Sequence, residues 1–168
     1  CLLQRWVSMN PTQPLPRVFV IGDSISMQYG PFLEQFLAGR AYYARKTGES
    51  EALLNLDIPQ GANGGDSSMV LTYLRGLARS GDFRADLLLI NAGLHDIKTD
   101  PVTRQRQVPA GVYRENLLEI VALARAMGTQ LVWINTTPCD EAVHNTGSNR
   151  TFHRFAADAL ACNATAAD

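Results

Sequence analysis

Arg17-Val-Phe-Val-Ile-Gly-Asp-Ser-Ile-Ser26 runs a short apolar segment straight into a polar turn. Val18 to Ile21 are β-branched or aromatic, the composition of a strand buried on both faces, and Gly22 ends it. In an open α/β sheet the loops at the carboxyl ends of the strands carry the chemistry. That makes Asp23, Ser24 and Ser26 candidates for a site, with Ser24 the first to test. Asp and Ser after a strand are also good helix N-caps, so a capping role stands beside the chemical one until the other strand ends are read.

Downstream, Gly30-Pro31 reads as a helix start, with Phe32, Leu33, Phe36 and Leu37 as its apolar face and Gly39 as its stop. Ala41 to Ala44 fits a short strand, and Lys46 to Gly61 reads as a long polar surface loop. The loop ends in Gly61-Ala-Asn-Gly-Gly-Asp-Ser-Ser68, where three glycines call for a sharp turn or a close approach. A second helix follows, capped by Asp66, Ser67 or Ser68, with Met69, Val70, Tyr73, Leu74 and Leu77 inward.

Asp86 to Asn91 is an apolar strand that stops at Asn91-Ala-Gly-Leu-His-Asp96, so a second strand end carries polar groups. Lys98 to Pro109 is a loop; Val112 to Met127 is a helix with Leu117, Ile120, Val121 and Ala124 inward and Gly128 as its stop. Gln130 to Asn135 is a further strand and Thr136 to Gly147 a loop. Arg150 to Ala166 reads as an Ala-rich helix presenting Phe152, Phe155, Ala159 and Leu160. The alternation β-α-β-α-β-α-β-α favours a parallel sheet between two layers of helices.

At 168 residues, 46% of them hydrophobic, the chain suits one well-cored domain. We assign residues 1–16 to a Pro-containing lead-in (Pro11, Pro14, Pro16) and 17–168 to the domain. Cys1 to Ser8 has neither the layout of a signal peptide nor an initiator Met; Met9 opens the lead-in, and the residues before it read as a remnant of a boundary. A formal net charge of −1, with scattered Lys and Arg, leaves no basic field for nucleic acid. No stretch reaches the length of a membrane span. Cys1, Cys139 and Cys162, even taken with His144 and His153, match no zinc spacing. The glycines of Gly61–Gly65 precede a helix, the place for an anion, but neither the dinucleotide fingerprint nor the P-loop is present. No cofactor or metal is therefore expected. Asn135-Thr-Thr, Asn149-Arg-Thr and Asn163-Ala-Thr have the form of glycosylation acceptors.

Three blocks, Gly22-Asp23-Ser24-Ile25-Ser26, Asn63-Gly64-Gly65-Asp66-Ser67 and Gly93-Leu94-His95-Asp96, resemble in order and spacing the first three motif blocks of the SGNH (GDSL) serine hydrolases. The resemblance implies a three-layer α/β/α sandwich with a flavodoxin-like parallel sheet, and ester hydrolysis. It also implies a small-molecule or carbohydrate ester as substrate, because many members deacetylate carbohydrates while others cleave lipid or thioester acyl bonds. Carried over, it makes Ser24 the nucleophile and an oxyanion donor through its own amide, with the Gly65 amide as a second donor. The family's usual Asn in the third block is here His95, so either His95 or Asn91 completes the hole, with Asp23 and Asp96 in support.

The family's Asp-x-x-His block, source of the general base, occurs nowhere in the chain; Asp140-Glu-Ala-Val-His144 is one residue too long and precedes the last helix instead of following it. The resemblance therefore implies four of the family's five strands, a domain cut short after Asp168, and no imidazole within reach of Ser24. Two other readings compete with catalysis. A receiver-like domain would need a phosphoacceptor Asp where Asn91 stands. A catalytically dead, carbohydrate- or acyl-binding relative would need no base.

Overall fold

The structure is a computed structural model that describes residues 14–146 and 151–168. Cys1, Met9 and Pro11 of the lead-in, and Gly147, Asn149 and Arg150 before the last helix, lie outside the described residues.

Four strands, β1 (Arg17–Gly22), β2 (Tyr42–Arg45), β3 (Leu87–Asn91) and β4 (Gln130–Trp133), form a sheet of order β2-β1-β3-β4. Every pairing is parallel. Six helices connect or follow them: α1 (Ser24–Leu37), α2 (Glu49–Leu54), α3 (Ser67–Ser80), α4 (Ala110–Ala126), α5 (Glu141–His144) and α6 (Ala156–Ala167). The fold is the expected three-layer α/β/α arrangement, with β4 at an edge among the described residues.

The register explains the main core. Phe19 pairs with Leu88 and Leu88 with Leu131, while Ile21 pairs with Ile90 and Ile90 with Trp133. Side chains at every second position share a face, so these six form one apolar surface. Val70, Leu71 and Leu74 of α3 and Ile120 and Ala124 of α4 close over it. Burying Leu74, Leu88, Ile90 and Ile120 completely contributes roughly 1.5–3 kcal/mol each. A second cluster joins α4 to α6 through Tyr113, Leu117, Ala159 and Cys162, together with Leu94 and Ile97 from the segment after β3.

Several sequence expectations are corrected. The first helix begins at Ser24 instead of Gly30, because the Asp23 side chain caps it by accepting the Ile25 amide. Gly30 and Pro31 therefore fall inside α1, where Pro31 forgoes one intrahelical hydrogen bond. The buried positions of α1 are Ser26, Met27 and Gly30, so Phe32 (64% exposed) and Phe36 (73%) do not face the core. The loop at 46–61 contains α2, whose Ala52 is fully buried and whose entry turns on Gly48 in the left-handed region (φ 96°). Met69 lies on the outer side of α3.

The last helix starts at Ala156, well after the expected Arg150. His153 instead exchanges both backbone hydrogen bonds with Thr99, which takes its peptide groups out of any helical ladder. Phe152 and Phe155 thus precede α6, and Leu160 is 69% exposed.

Candidate active site

Parallel pairing brings the three blocks to one end of the sheet. Gly22, the last residue of β1, pairs with Asn91, the last of β3, and also bridges to Asn63. The Gly64 amide donates to the Gly22 carbonyl at 2.7 Å. Gly22 has to be glycine here: a Cβ would overlap Asn91 Oδ1 and lie 2.6 Å from Ser26 Cβ. Gly64 is similarly constrained, since its Cβ would come within 3.0 Å of the Gly22 carbonyl oxygen.

Asp23 is fully buried between these blocks. Its Oδ1 accepts from the Ile25 amide (2.9 Å) and from Asn91 Nδ2 (2.7 Å), while Oδ2 has no partner. Burial raises its pKa above the ordinary carboxylate value, against the lowering effect of those two donors and of the Arg154 charge. Asn91 is engaged at both ends, because its Oδ1 accepts from the Tyr29 hydroxyl at 3.1 Å. Of the two candidates for completing an oxyanion hole, Asn91 is thus committed to holding Asp23.

Ser24 is the first residue of α1 and half-buried. Its amide is one of those that a helix leaves without an intrahelical acceptor, and it lies at the positive end of the helix dipole. Among the described residues, which include all three histidines, no imidazole nitrogen hydrogen-bonds to Ser24 Oγ. The His144 ring is spent on Asn145 Oδ1 (2.9 Å) and Arg154 Nη1 (3.0 Å). His153 lies in the strand-like segment paired with Thr99, not within the last helix as the sequence suggested, and its ring stands edge-on to Phe155.

Gly65 sits in the left-handed region (φ 74°), and a Cβ there would be 2.6 Å from Met69 Sδ and 2.7 Å from Pro59 Cβ. Its amide, expected as an oxyanion donor, donates to Asn63 Oδ1 at 3.0 Å. Asn63 is held in turn by its Nδ2, which donates to the Leu56 carbonyl.

His95 is fully buried, and neither ring nitrogen has a hydrogen-bond partner. Burial first, then the positive charges of Lys98 and Arg154, lower its pKa to about 3. The imidazole is therefore neutral at physiological pH, with one N–H free to donate. Next to it, Asp96 accepts the Ser67 amide at the start of α3 with both carboxylate oxygens (2.9 and 3.1 Å). Burial pushes its pKa up to about 7, the hydrogen bonds from Ser67 opposing the shift. Asp96 thereby ties the third block to the helix that leaves the second.

Sequence reasoning missed Asn63, Tyr29 and Arg45. Asn63 stood inside the glycine-rich run, but its grip on Gly65 depends on a local turn that no spacing rule encodes. Arg45 carries no motif at all: its guanidinium donates to Ser26 O (3.0 Å) and Ser26 Oγ (2.9 Å) across the junction of β2 and α1.

An open groove of about 800 Å³ lies beside the second and third blocks, lined by Asn55, Asp57, Lys98, Gln105, Gln107 and Phe152 among others. Ser24, Gly65 and His95 do not line it. It is joined to the blocks: Gln107 Nε2 donates to Asp66 Oδ2, and Lys98 follows His95 on the same loop.

No protein-family model and no curated protein sequence matches the chain. Solved structures do. One is a Bacteroides fragilis protein assigned as an acylhydrolase, at 21% identity and a TM-score of 0.59, over 97% of this chain and 69% of that one. Another is a GDSL-like lipase of Bacteroides thetaiotaomicron, at 18% identity and a TM-score of 0.61, over 92% of this chain and 65% of that one. The chain thus spans about two thirds of the length of these structures. With its all-parallel four-stranded sheet in the order β2-β1-β3-β4, the chain shares the three-layer α/β/α fold of these two structures.

Proposed function

We propose that the chain is a serine-dependent ester hydrolase of the SGNH/GDSL type, working through an acyl-enzyme on Ser24. The observation that carries this reading is the convergence of Gly22, Asn63, Gly64 and Asn91 at one sheet end, with Ser24 opening the helix above them. The names of the structural neighbours, an acylhydrolase and a lipase, support the same reaction class.

In this mechanism Ser24 Oγ gives its proton to solvent as it attacks the acyl carbon, the carbonyl oxygen becomes an oxyanion, and the same proton count is restored when solvent protonates the departing alcohol. The Ser24 amide, at the positive end of α1, is the first donor to it. The neutral His95 ring is a second, since both its nitrogens are buried without partners. The Gly65 amide is a third; an oxyanion is a stronger acceptor than the neutral Asn63 carboxamide that holds this amide at rest. Collapse expels the alcohol, which takes up a proton, and water then attacks the acyl-enzyme to release the acid and free Ser24. Each donor lowers the barrier by roughly 3 kcal/mol.

The substrate we propose is a small-acyl, chiefly acetyl, ester of a carbohydrate or similar polar alcohol. The groove beside the second and third blocks supports a polar alcohol, with Asn55, Gln105 and Gln107 amides and a balance of Lys98 and Arg106 against Asp57 and Asp100. A second reading, a binding module that does not turn over its ligand, draws on one observation: no imidazole reaches Ser24 to take its proton. Turnover of p-nitrophenyl acetate by the wild type and by Ser24→Ala separates the two. Hydrolysis that depends on Ser24 supports the enzyme, and equal rates in both proteins support the binder.

A further inference from the structure

The Arg45 side chain is buried next to the first turn of α1, outside the three motif blocks. Arg45 ends β2, its side chain is 8% exposed, and it has three acceptors on α1: Ser26 O, Ser26 Oγ and Met27 Sδ. Ser26 Oγ passes the contact on by donating to the Asp23 carbonyl at 2.7 Å. Asp23 itself is held from β3 by Asn91. Ser24 therefore lies between two residues that are anchored from opposite sides, one by β3 and one by β2.

The arrangement has costs that packing alone does not explain. Arg45 Nε is buried without a hydrogen bond, and the carboxylate paired with the guanidinium among the described residues, Glu49, stands at 3.9 Å. The neighbouring Tyr43 hydroxyl is half-buried against the same guanidinium and adds no charge to balance it. Taking an ion out of water costs several kcal/mol unless it is well paired. In addition, α1 carries a helix-weakening glycine where the guanidinium passes: a Cβ on Gly30 would lie 2.6 Å from Arg45 Nη1 and 3.1 Å from the Tyr43 hydroxyl. A cavity of about 460 Å³, lined by Met27, Tyr43, Arg45, Glu34 and Glu49, lies along the same contact.

We propose that Arg45 is a positioning residue for Ser24, fixing the first turn of α1 through Ser26 so that the Ser24 hydroxyl and amide address the same acyl group. The inference rests on Ser24 being the nucleophile. Its planar, forked guanidinium reaches the carbonyl and the hydroxyl of Ser26 together, which a lysine ammonium in the same place does not reproduce. A misplaced turn leaves ligand affinity intact while slowing attack, because the loss falls on alignment.

The test is the kinetics of a fluorophosphonate reagent on the wild type, Arg45→Lys, Arg45→Ala and Gly30→Ala, with adducts mapped by peptide mass spectrometry and folding checked by melting. The expected result is Ser24 labelling in the wild type, with a limiting rate on the order of 10-fold lower or more in the folded variants. Reagent affinity should stay within about twofold. Added guanidinium ion should restore part of the rate in Arg45→Ala but not in Gly30→Ala. Because Gly30→Ala keeps the arginine and only displaces it, it reports even if both Arg45 variants fail to fold. Unchanged limiting rates in whichever variants fold overturn the proposal while leaving Ser24 as nucleophile. Wild-type labelling at a residue other than Ser24, or no labelling, overturns both.

Discussion

Replacing Asp96 by Asn should change how stability depends on pH, and the size of the change follows from the burial of this carboxyl. In the folded protein the Asp96 pKa stands at about 7, against 3.8 for an unperturbed aspartate, with burial the largest cause. Below the lower value the group is protonated in both states and contributes no pH dependence. Between the two, the unfolded chain ionises while the folded one keeps its proton, so stability falls as pH rises through this window. The shift is about three units, and at roughly 1.4 kcal/mol per unit the loss approaches 4 kcal/mol as an upper figure.

The His95 contribution runs in the opposite direction. Its folded pKa of about 3 lies below the ordinary 6.5, so its contribution is present above 6.5 and lost as pH falls through the window below it. The two slopes oppose each other over the overlapping range, and a wild-type curve alone conceals both. The informative quantity is the difference between wild type and Asp96→Asn in urea unfolding at steps from pH 4.5 to 8. The account expects that difference to move in favour of the variant by about 2–4 kcal/mol over this range. A difference that does not vary with pH, or that moves in favour of the wild type as pH rises, would refute the burial argument and make the Ser67 amide the dominant influence on the carboxylate.

Gly22→Ala should destabilise the protein by about 2–4 kcal/mol, since the added methyl overlaps Asn91 Oδ1 and must disturb the buried Asn91–Asp23 hydrogen bond. Urea unfolding checks this, and a loss below about 0.5 kcal/mol would contradict the close approach of the first and third blocks. At His95, a neutral oxyanion donor predicts that Asn substitutes well while Ala lowers kcat by roughly 10²-fold. Equal losses in both variants would identify a base instead.

The parts of the fold that were legible in the sequence are those set by local composition. The apolar runs at Val18–Ile21 and Leu87–Ile90 are strands, Val70 and Leu74 face inward, and the alternation of elements gives the parallel sheet. The three motif blocks were legible as positions, and the parallel pairing brings Gly22, Asn63 and Asn91 of those blocks and the strand ends together at one end of the sheet. Interactions between distant residues were not legible. The start of α1 is a case: Gly30-Pro31 has the local signature of a helix start, but the Asp23 cap and the grip of Arg45 on Ser26 extend the helix back to Ser24. Likewise the Phe152–Phe155 segment looks helical until His153 meets Thr99. The Gly65 amide was assigned from its place in the motif, while its resting partner Asn63 became visible only in the turn itself.

The proposed chemistry runs through an acyl-enzyme on Ser24. The most direct test is to incubate the protein with p-nitrophenyl acetate, quench in acid, and locate the transferred acetyl group by intact-mass and peptide mass spectrometry. The account predicts a single acetyl group on the peptide containing Ser24, absent from Ser24→Ala and released on longer incubation with water alone. Acetylation only at other residues, persisting unchanged in Ser24→Ala, would contradict it.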